Sequence, residues 1–138
     1  MERLLNMTRL KNWTVNLNKV ISSHTETPFQ WGVFDCCVFA SECCKAICGK
    51  DPYAEFRGRY STKIGAYRII KNSYGSLDAI LDSYFQRIDL NFVQRGDICT
   101  YENEGEIGLA VFNNGWFSTA ESGVRRINIE PLSVWRVE

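Results

Sequence analysis

Histidine is the scarcest reactive residue in this chain, because His24 is the single example among 138 residues. The chain has no excess of positive or negative charge, since 16 lysine and arginine residues balance 16 aspartate and glutamate residues. A neutral chain lacks the basic footprint that binds nucleic acids or anionic membranes. We therefore expect no nucleic-acid partner, and any imidazole-dependent chemistry would have to use His24.

Long apolar runs are missing as well, and none reaches the length of a membrane span. The stretch from Met1 to Asn6 turns polar at once, unlike a secretory signal peptide. The sequence therefore predicts a protein that is made and folds in the cytoplasm, without a membrane span. Its length fits one compact domain that can bury a core.

Cysteine, by contrast, is abundant and concentrated in one short segment. Five of the six cysteines fall in a predicted helix: Cys36, Cys37, Cys43, Cys44 and Cys48. Neighbours on one short helix rarely reach disulfide geometry, so we expect free, buried thiols. Zinc sites draw their ligands from at least two segments, and only Cys99 could add a thiol from elsewhere. We therefore predict no metal and no cofactor.

The most informative segment runs from Pro28 to Cys37, an aromatic-glycine turn followed by an acidic residue and a cysteine. Asp35 stands where a helix N-cap belongs, and Cys36 falls in the first turn of the predicted helix. The amide groups and the helix dipole at that position favour a thiolate. Cysteine peptidases place their nucleophile in such a position. The alternative is that Cys36 is a small buried side chain and Asp35 only a cap.

Helices precede strands along the chain. Four segments with helical patterning are predicted as helices: 2–22, 36–48, 63–72 and 76–85. Five apolar segments are predicted as strands, the last two of them at sheet edges: 98–101, 107–112, 116–120, 124–129 and 134–137. Helices followed by antiparallel strands predict an α+β fold.

Several motifs give the chain a resemblance to a known family. The Asp35-Cys36 pair after its aromatic turn, Arg95-Gly96-Asp97-Ile98, and Glu106-Ile107-Gly108-Leu109-Ala110-Val111 resemble motifs of the NlpC-type cell-wall cysteine peptidases. These peptidases are a bacterial branch of the papain-like superfamily. Two further segments, Gly58-Arg59-Tyr60-Ser61 and Trp135-Arg136-Val137, are similar to an uncharacterised subgroup among phage and prophage tail genes.

The resemblance implies a papain-like α+β fold in which the cysteine helix packs on an antiparallel sheet. It covers residues 28–138. Residues 1–27 are then an N-terminal helical extension and linker of the same compact unit. In the implied site, Cys36 holds the nucleophile position directly after its cap, Asp35.

The sequence departs from the family at the other two site positions. Glu106 stands where the family has its catalytic histidine, and Thr119 stands at the residue that orients this histidine. A carboxylate beside Cys36 would raise the pKa of the thiol, and it could protonate a leaving group only if its own pKa were raised. We therefore expect Cys36, Glu106 and Thr119 to converge as a pseudo-triad without hydrolytic activity. Two alternatives remain open: Glu106 only faces solvent at a hairpin edge, and His24 folds back over Cys36.

The leading hypothesis for function is structural: assembly of a phage or prophage tail or tail tip on a degenerate NlpC-like scaffold. The expected partners are other tail subunits and, if the groove still binds, a peptidoglycan peptide. The protein would lie in the host cytoplasm during assembly and then in the virion tail. The alternatives are an active peptidoglycan cysteine peptidase with Cys36 as nucleophile, and a non-catalytic cell-wall-binding module.

Overall fold

A computed structural model describes residues 9–138, and the part of the predicted first helix before residue 9 lies outside the described residues. Four α-helices come first: α1 (Trp13–Ser23), α2 (Cys36–Cys48), α3 (Lys63–Ser73) and α4 (Leu77–Asp82). Six strands follow: β1 (Gln86–Ile88), β2 (Ile98–Asn103), β3 (Glu106–Phe112), β4 (Trp116–Ala120), β5 (Gly123–Ile127) and β6 (Ser133–Arg136). Short 3₁₀ turns lie at Ala54–Phe56 and Leu90–Phe92. The predicted α+β class is confirmed.

Helix α2 has the bounds that its terminal residues predict. The Asp35 carboxylate accepts a hydrogen bond from the Val38 amide at 2.9 Å, which caps the first turn. Gly49 ends the helix with φ at +82°, a left-handed conformation that favours glycine. The helix is buried on most of its surface, and all six cysteines of the chain are free thiols.

The strands form one antiparallel sheet in the order β1-β6-β2-β3-β4-β5. β5 is an edge strand, as predicted. The prediction that residues 134–137 form an edge strand is wrong, because β6 pairs with β2 on one side and β1 on the other. The predicted helix over 76–85 is also too long, since α4 ends at Asp82 and β1 begins at Gln86.

The main core lies between the helices and one face of the sheet. Helix α2 packs on β3 and β4, and α1 packs on the outer side of α2. Leu17 of α1 is fully buried, so this helix contributes to the same core. A smaller apolar cluster covers the other sheet face around Cys99, Ala110, Trp116 and Val134. Among residues 9–138, no helix is long and apolar enough to cross a bilayer.

A buried carboxylate joins two of the sequence motifs. Asp97 is 0 % exposed and accepts a hydrogen bond at 2.7 Å from Nε of Arg136. Its Oδ2 accepts a hydrogen bond from the Gln94 amide at 2.7 Å. The Arg9 guanidinium lies 3.7 Å from Oδ1, the oxygen that Arg136 also contacts. Asp97 therefore fixes the start of β2 to the end of β6.

We expect Asp97→Ala to lower the free energy of unfolding by about 3 kcal/mol, because it leaves Arg136 without its buried partner. Asp78→Ala is the matched control, since the Asp78–Arg87 pair has side chains that are 37 % and 47 % exposed. The control should cost less than about 1 kcal/mol. Urea titration of both variants measures the difference, and equal losses would contradict this role for Asp97.

Candidate functional site

A tight turn positions the first residue of α2. Gln30 and Phe34 form an isolated antiparallel bridge, and Gly32 between them has φ at +81°. The Gly32 amide donates to the Asp35 carboxylate at 3.0 Å. The same carboxylate accepts from the Val38 amide and from the Tyr60 hydroxyl. One buried side chain therefore holds the turn, the helix and the segment after it together.

A groove of about 500 Å³ opens beside the start of α2, and we call it the Cys36 groove. Cys36 is partly exposed there, whereas the other five cysteines are buried. The sequence-predicted residues Asp35, Cys36, Glu106 and Thr119 all line this groove. The structure thus brings together the residues of the predicted pseudo-triad, and their chemical roles stay a prediction.

The groove lies where strands β3 and β4 stop pairing. Their ladder consists of two residue pairs, Val111 with Phe117 and Phe112 with Trp116. Beyond them, the Ser118 hydroxyl donates to the Leu109 carbonyl at 2.7 Å. The backbone of Leu109 also forms a hydrogen bond with Cys36. The gap in the sheet therefore places the sulfur of Cys36 against the backbone of β3.

The two neighbouring thiols at the start of α2 ionise differently. A hydrogen bond from the Cys37 thiol, and then the backbone hydrogen bond with Leu109, lower the pKa of Cys36. Burial and the Asp35 carboxylate oppose this shift. The hydrogen bond to Cys36, together with burial, raises the pKa of Cys37 well above its usual range. Cys36 is therefore the thiol that ionises first.

Glu106 forms an ion pair at the edge of the Cys36 groove. Its carboxylate accepts a hydrogen bond from the Lys63 ammonium at the start of α3, and both side chains are more than two-fifths exposed. A positive charge therefore lies directly beside the carboxylate at this position. An ammonium partner favours the ionised form of a carboxylate, and that form accepts hydrogen bonds and donates none.

His24 lies outside the Cys36 groove. Its ring stacks on Phe34 with centroids 4.3 Å apart. Its Nδ1 lies 2.9 Å from Thr27 Oγ1, and its Nε2 lies 3.0 Å from Glu42 Oε1. Both ring nitrogens are thus engaged with other partners, and no histidine is among the groove-lining residues of the described chain.

Aromatic side chains form much of the groove wall, and sequence analysis missed most of them. Four of them are tyrosines: Tyr53, Tyr60, Tyr67 and Tyr101. Gly108 has no side chain, and a Cβ there would lie 2.9 Å from the ring of Tyr101. Burial, and then the charge of Cys36, raise the pKa of Tyr67. Phe29 and Trp31 from the turn also line the groove, whereas Phe34 is in the core.

Within residues 9–138, no cluster of three or more histidine, cysteine or acidic side chains could hold a metal ion. Burial raises the pKa of Cys99 to about 12, and it raises the pKa values of Cys43 and Cys44 well above their usual range. These thiols are therefore protonated, as the sequence-based hypothesis of core cysteines requires.

We expect Gly32→Ala to destabilise the protein more than Gly49→Ala. Both glycines have φ near +80°, which costs a side chain about 1–2 kcal/mol. A Cβ at Gly49 meets nothing within 4 Å, whereas one at Gly32 would lie 2.0 Å from the Tyr60 carbonyl oxygen. The loss should therefore reach about 3 kcal/mol or more for Gly32→Ala. Thermal unfolding measures both variants, and similar losses would show that the turn is not packed as described.

Comparison with known proteins gives a family for this chain and leaves its activity open. The family model described as "Domain of unknown function (DUF6950)" matches residues 8–137, which include every helix and strand above. Neither the comparison with curated proteins nor the comparison with solved structures found a match. Since the match spans nearly the whole sequence, the chain belongs to the DUF6950 family.

Proposed function

We propose that this chain is a papain-like domain of the NlpC type that has lost peptide hydrolysis and serves as a structural subunit of a phage or prophage tail. The observation that carries the proposal is the Lys63–Glu106 ion pair beside the groove of Cys36. In the alignment with the NlpC-type peptidases, Glu106 stands at the position of their catalytic histidine. The nucleophile position is retained, while the group that moves protons is not.

Peptide hydrolysis by a cysteine needs two proton-dependent events. The thiol must become a thiolate, and the departing amine must receive a proton. The hydrogen bonds from Cys37 and Leu109 favour the first event at Cys36. The second event needs a proton donor at the leaving amine. Glu106 is ion-paired with Lys63, and His24 is hydrogen-bonded to Thr27 and Glu42, so neither is placed to donate that proton. The site therefore supports binding more strongly than amide cleavage.

The role in a tail is supported by sequence resemblance. Gly58-Arg59-Tyr60-Ser61 and Trp135-Arg136-Val137 resemble the tail-associated subgroup. One residue of each segment contributes to the fold. The Tyr60 hydroxyl donates a hydrogen bond to Asp35, and Trp135 is fully buried in the core. We propose other tail subunits as partners, with assembly in the host cytoplasm and a final place in the virion. The Cys36 groove could hold a peptidoglycan peptide without cleaving it.

An active cysteine peptidase is the second candidate, and the lowered pKa of Cys36 favours it. The partly exposed sulfur in an open groove also suits a nucleophile. This candidate requires a proton donor other than Glu106 or His24 in their present positions. A bound substrate would have to provide this proton donor itself, or displace Lys63 so that Glu106 could take up and donate a proton.

We expect no release of amines when the purified protein is incubated with peptidoglycan peptide fragments. Wild type and Cys36→Ala should give the same background rate, because Glu106 is ion-paired and no imidazole lines the groove to protonate the leaving amine. Tail assembly should also survive Cys36→Ala when the variant replaces the native chain. Cleavage that disappears with Cys36→Ala would establish the peptidase instead, and His24→Ala would then show whether the single imidazole moves to the site.

A further inference from the structure

We propose that helix α3 is a lid over the Cys36 groove, and that the ion pair between Lys63 and Glu106 is the latch that holds this lid closed. The inference goes beyond tail assembly, because it concerns how a ligand reaches the groove. It does not rest on the role in a tail or on the loss of hydrolysis. Release of the latch opens the groove to ligands that are too bulky for the closed entrance.

Helix α3 forms one wall of the groove beside Cys36. The residues of this helix that line the groove recur at helical spacing: Ala66, Tyr67, Ile70 and Lys71. Tyr67 lies near the thiol, since burial and then the charge of Cys36 raise the pKa of the Tyr67 hydroxyl. A displacement of α3 therefore changes access to the sulfur of Cys36.

Few side chains anchor α3 in the core. Of its eleven residues, Ala66 and Ile70 are buried, whereas nine of the thirteen residues of α2 are buried. Ile64 and Tyr67 of α3 are 68 % and 43 % exposed. Segments that bury little apolar surface open locally at a low cost in free energy. Helix α3 can therefore move while α2 and the sheet stay in place.

The C-terminal end of α3 has the features of a hinge. The ring of Tyr74, which follows the helix, packs against Phe56 with centroids 5.9 Å apart. The Tyr74 hydroxyl also donates a hydrogen bond to Glu55 at 2.7 Å. The next residue, Gly75, has φ at +93°, and a Cβ there would meet nothing within 4 Å. An anchored end beside a turn with open space can absorb the rotation of a lid.

The N-terminal end of α3 is held by the latch. Lys63 is the first residue of α3, and Glu106 is the first residue of β3. The Lys63 ammonium donates a hydrogen bond to the Glu106 carboxylate, so the pair joins two elements that both line the groove. The two side chains are 44 % and 43 % exposed. Because an exposed ion pair is weak and is screened by salt, the latch is reversible.

The test compares two maleimides that share a reactive group and differ in size, N-methylmaleimide and N-(1-pyrenyl)maleimide. The rate of adduct formation at Cys36 is measured for each by peptide mass mapping and divided by its rate with N-acetylcysteine. The ratio of the bulky to the small reagent then reports access, since both react with the same thiolate. We expect a ratio below one for the wild type, and a ratio of one would overturn the lid.

Lys63→Met should raise this ratio about two- to fivefold, which is the shift that the loss of an exposed ion pair gives to an equilibrium. Arg68→Met is the matched control, because it removes a positive charge from the same helix. Arg68 is not among the ion-paired residues of the chain from residue 9 onward. Its variant should keep the wild-type ratio. An equal rise in both variants, or no rise with Lys63→Met, would overturn the latch.

Charge exchange and salt separate the latch from a general loss of structure. Lys63→Glu alone should raise the ratio, and adding Glu106→Lys to the same chain should return it to near the wild-type value. An increase in sodium chloride from about 0.05 M to about 0.5 M should raise the ratio of the wild type and leave that of Lys63→Met unchanged. A double variant as open as the single one, or an equal salt response in Lys63→Met, would contradict the proposal. Release of amines from peptidoglycan fragments is a separate measurement, so the proposed function and the lid can fail independently.

Discussion

The structure around the candidate site depends on the buried carboxylate of Asp35. It is 1 % exposed and accepts three hydrogen bonds, from the amides of Gly32 and Val38 and from the hydroxyl of Tyr60. A carboxylate in the interior is costly unless its oxygens are paired, so these donors must stay in place together. Because Cys36 follows directly in the chain, the same interactions fix the position of its sulfur.

The site then divides into two halves with different chemistry. The helix terminus, Cys37 and Leu109 stabilise negative charge on Cys36. In the other half, the carboxylate of Glu106 forms an ion pair with the ammonium of Lys63. The first half therefore favours an ionised thiol, and the second holds a carboxylate beside its counter-charge.

Features that depend on local chemistry could be predicted from the sequence. The bounds of α2 follow from Asp35 and Gly49, because a cap and a left-handed glycine act within one turn. The hairpin from β3 to β4 follows from Asn113-Asn114-Gly115 in the same way. The meeting of Cys36, Glu106 and Thr119 at one groove came from resemblance to a family, since no local pattern connects positions so far apart.

Features that depend on distant contacts could not be predicted. β1 is three residues long and mostly exposed, so nothing in it indicates that it covers β6. The pairing of Lys63 with Glu106 and the contact of His24 with Glu42 join separate elements through long side chains. The tyrosines of the groove lie on a turn, a helix and a strand, and only the fold brings their rings together.

The most direct test of the central claim is the pH dependence of alkylation at each cysteine of the native protein, followed by peptide mass mapping after short pulses of iodoacetamide. The account predicts that Cys36 reacts first, with a midpoint below the value of about 8.5 that is usual for a thiol. Cys99, with a pKa of about 12, should stay unmodified and serves as the internal control. A midpoint for Cys36 at or above the usual value, or equal reaction of Cys36 and Cys99, would contradict the account.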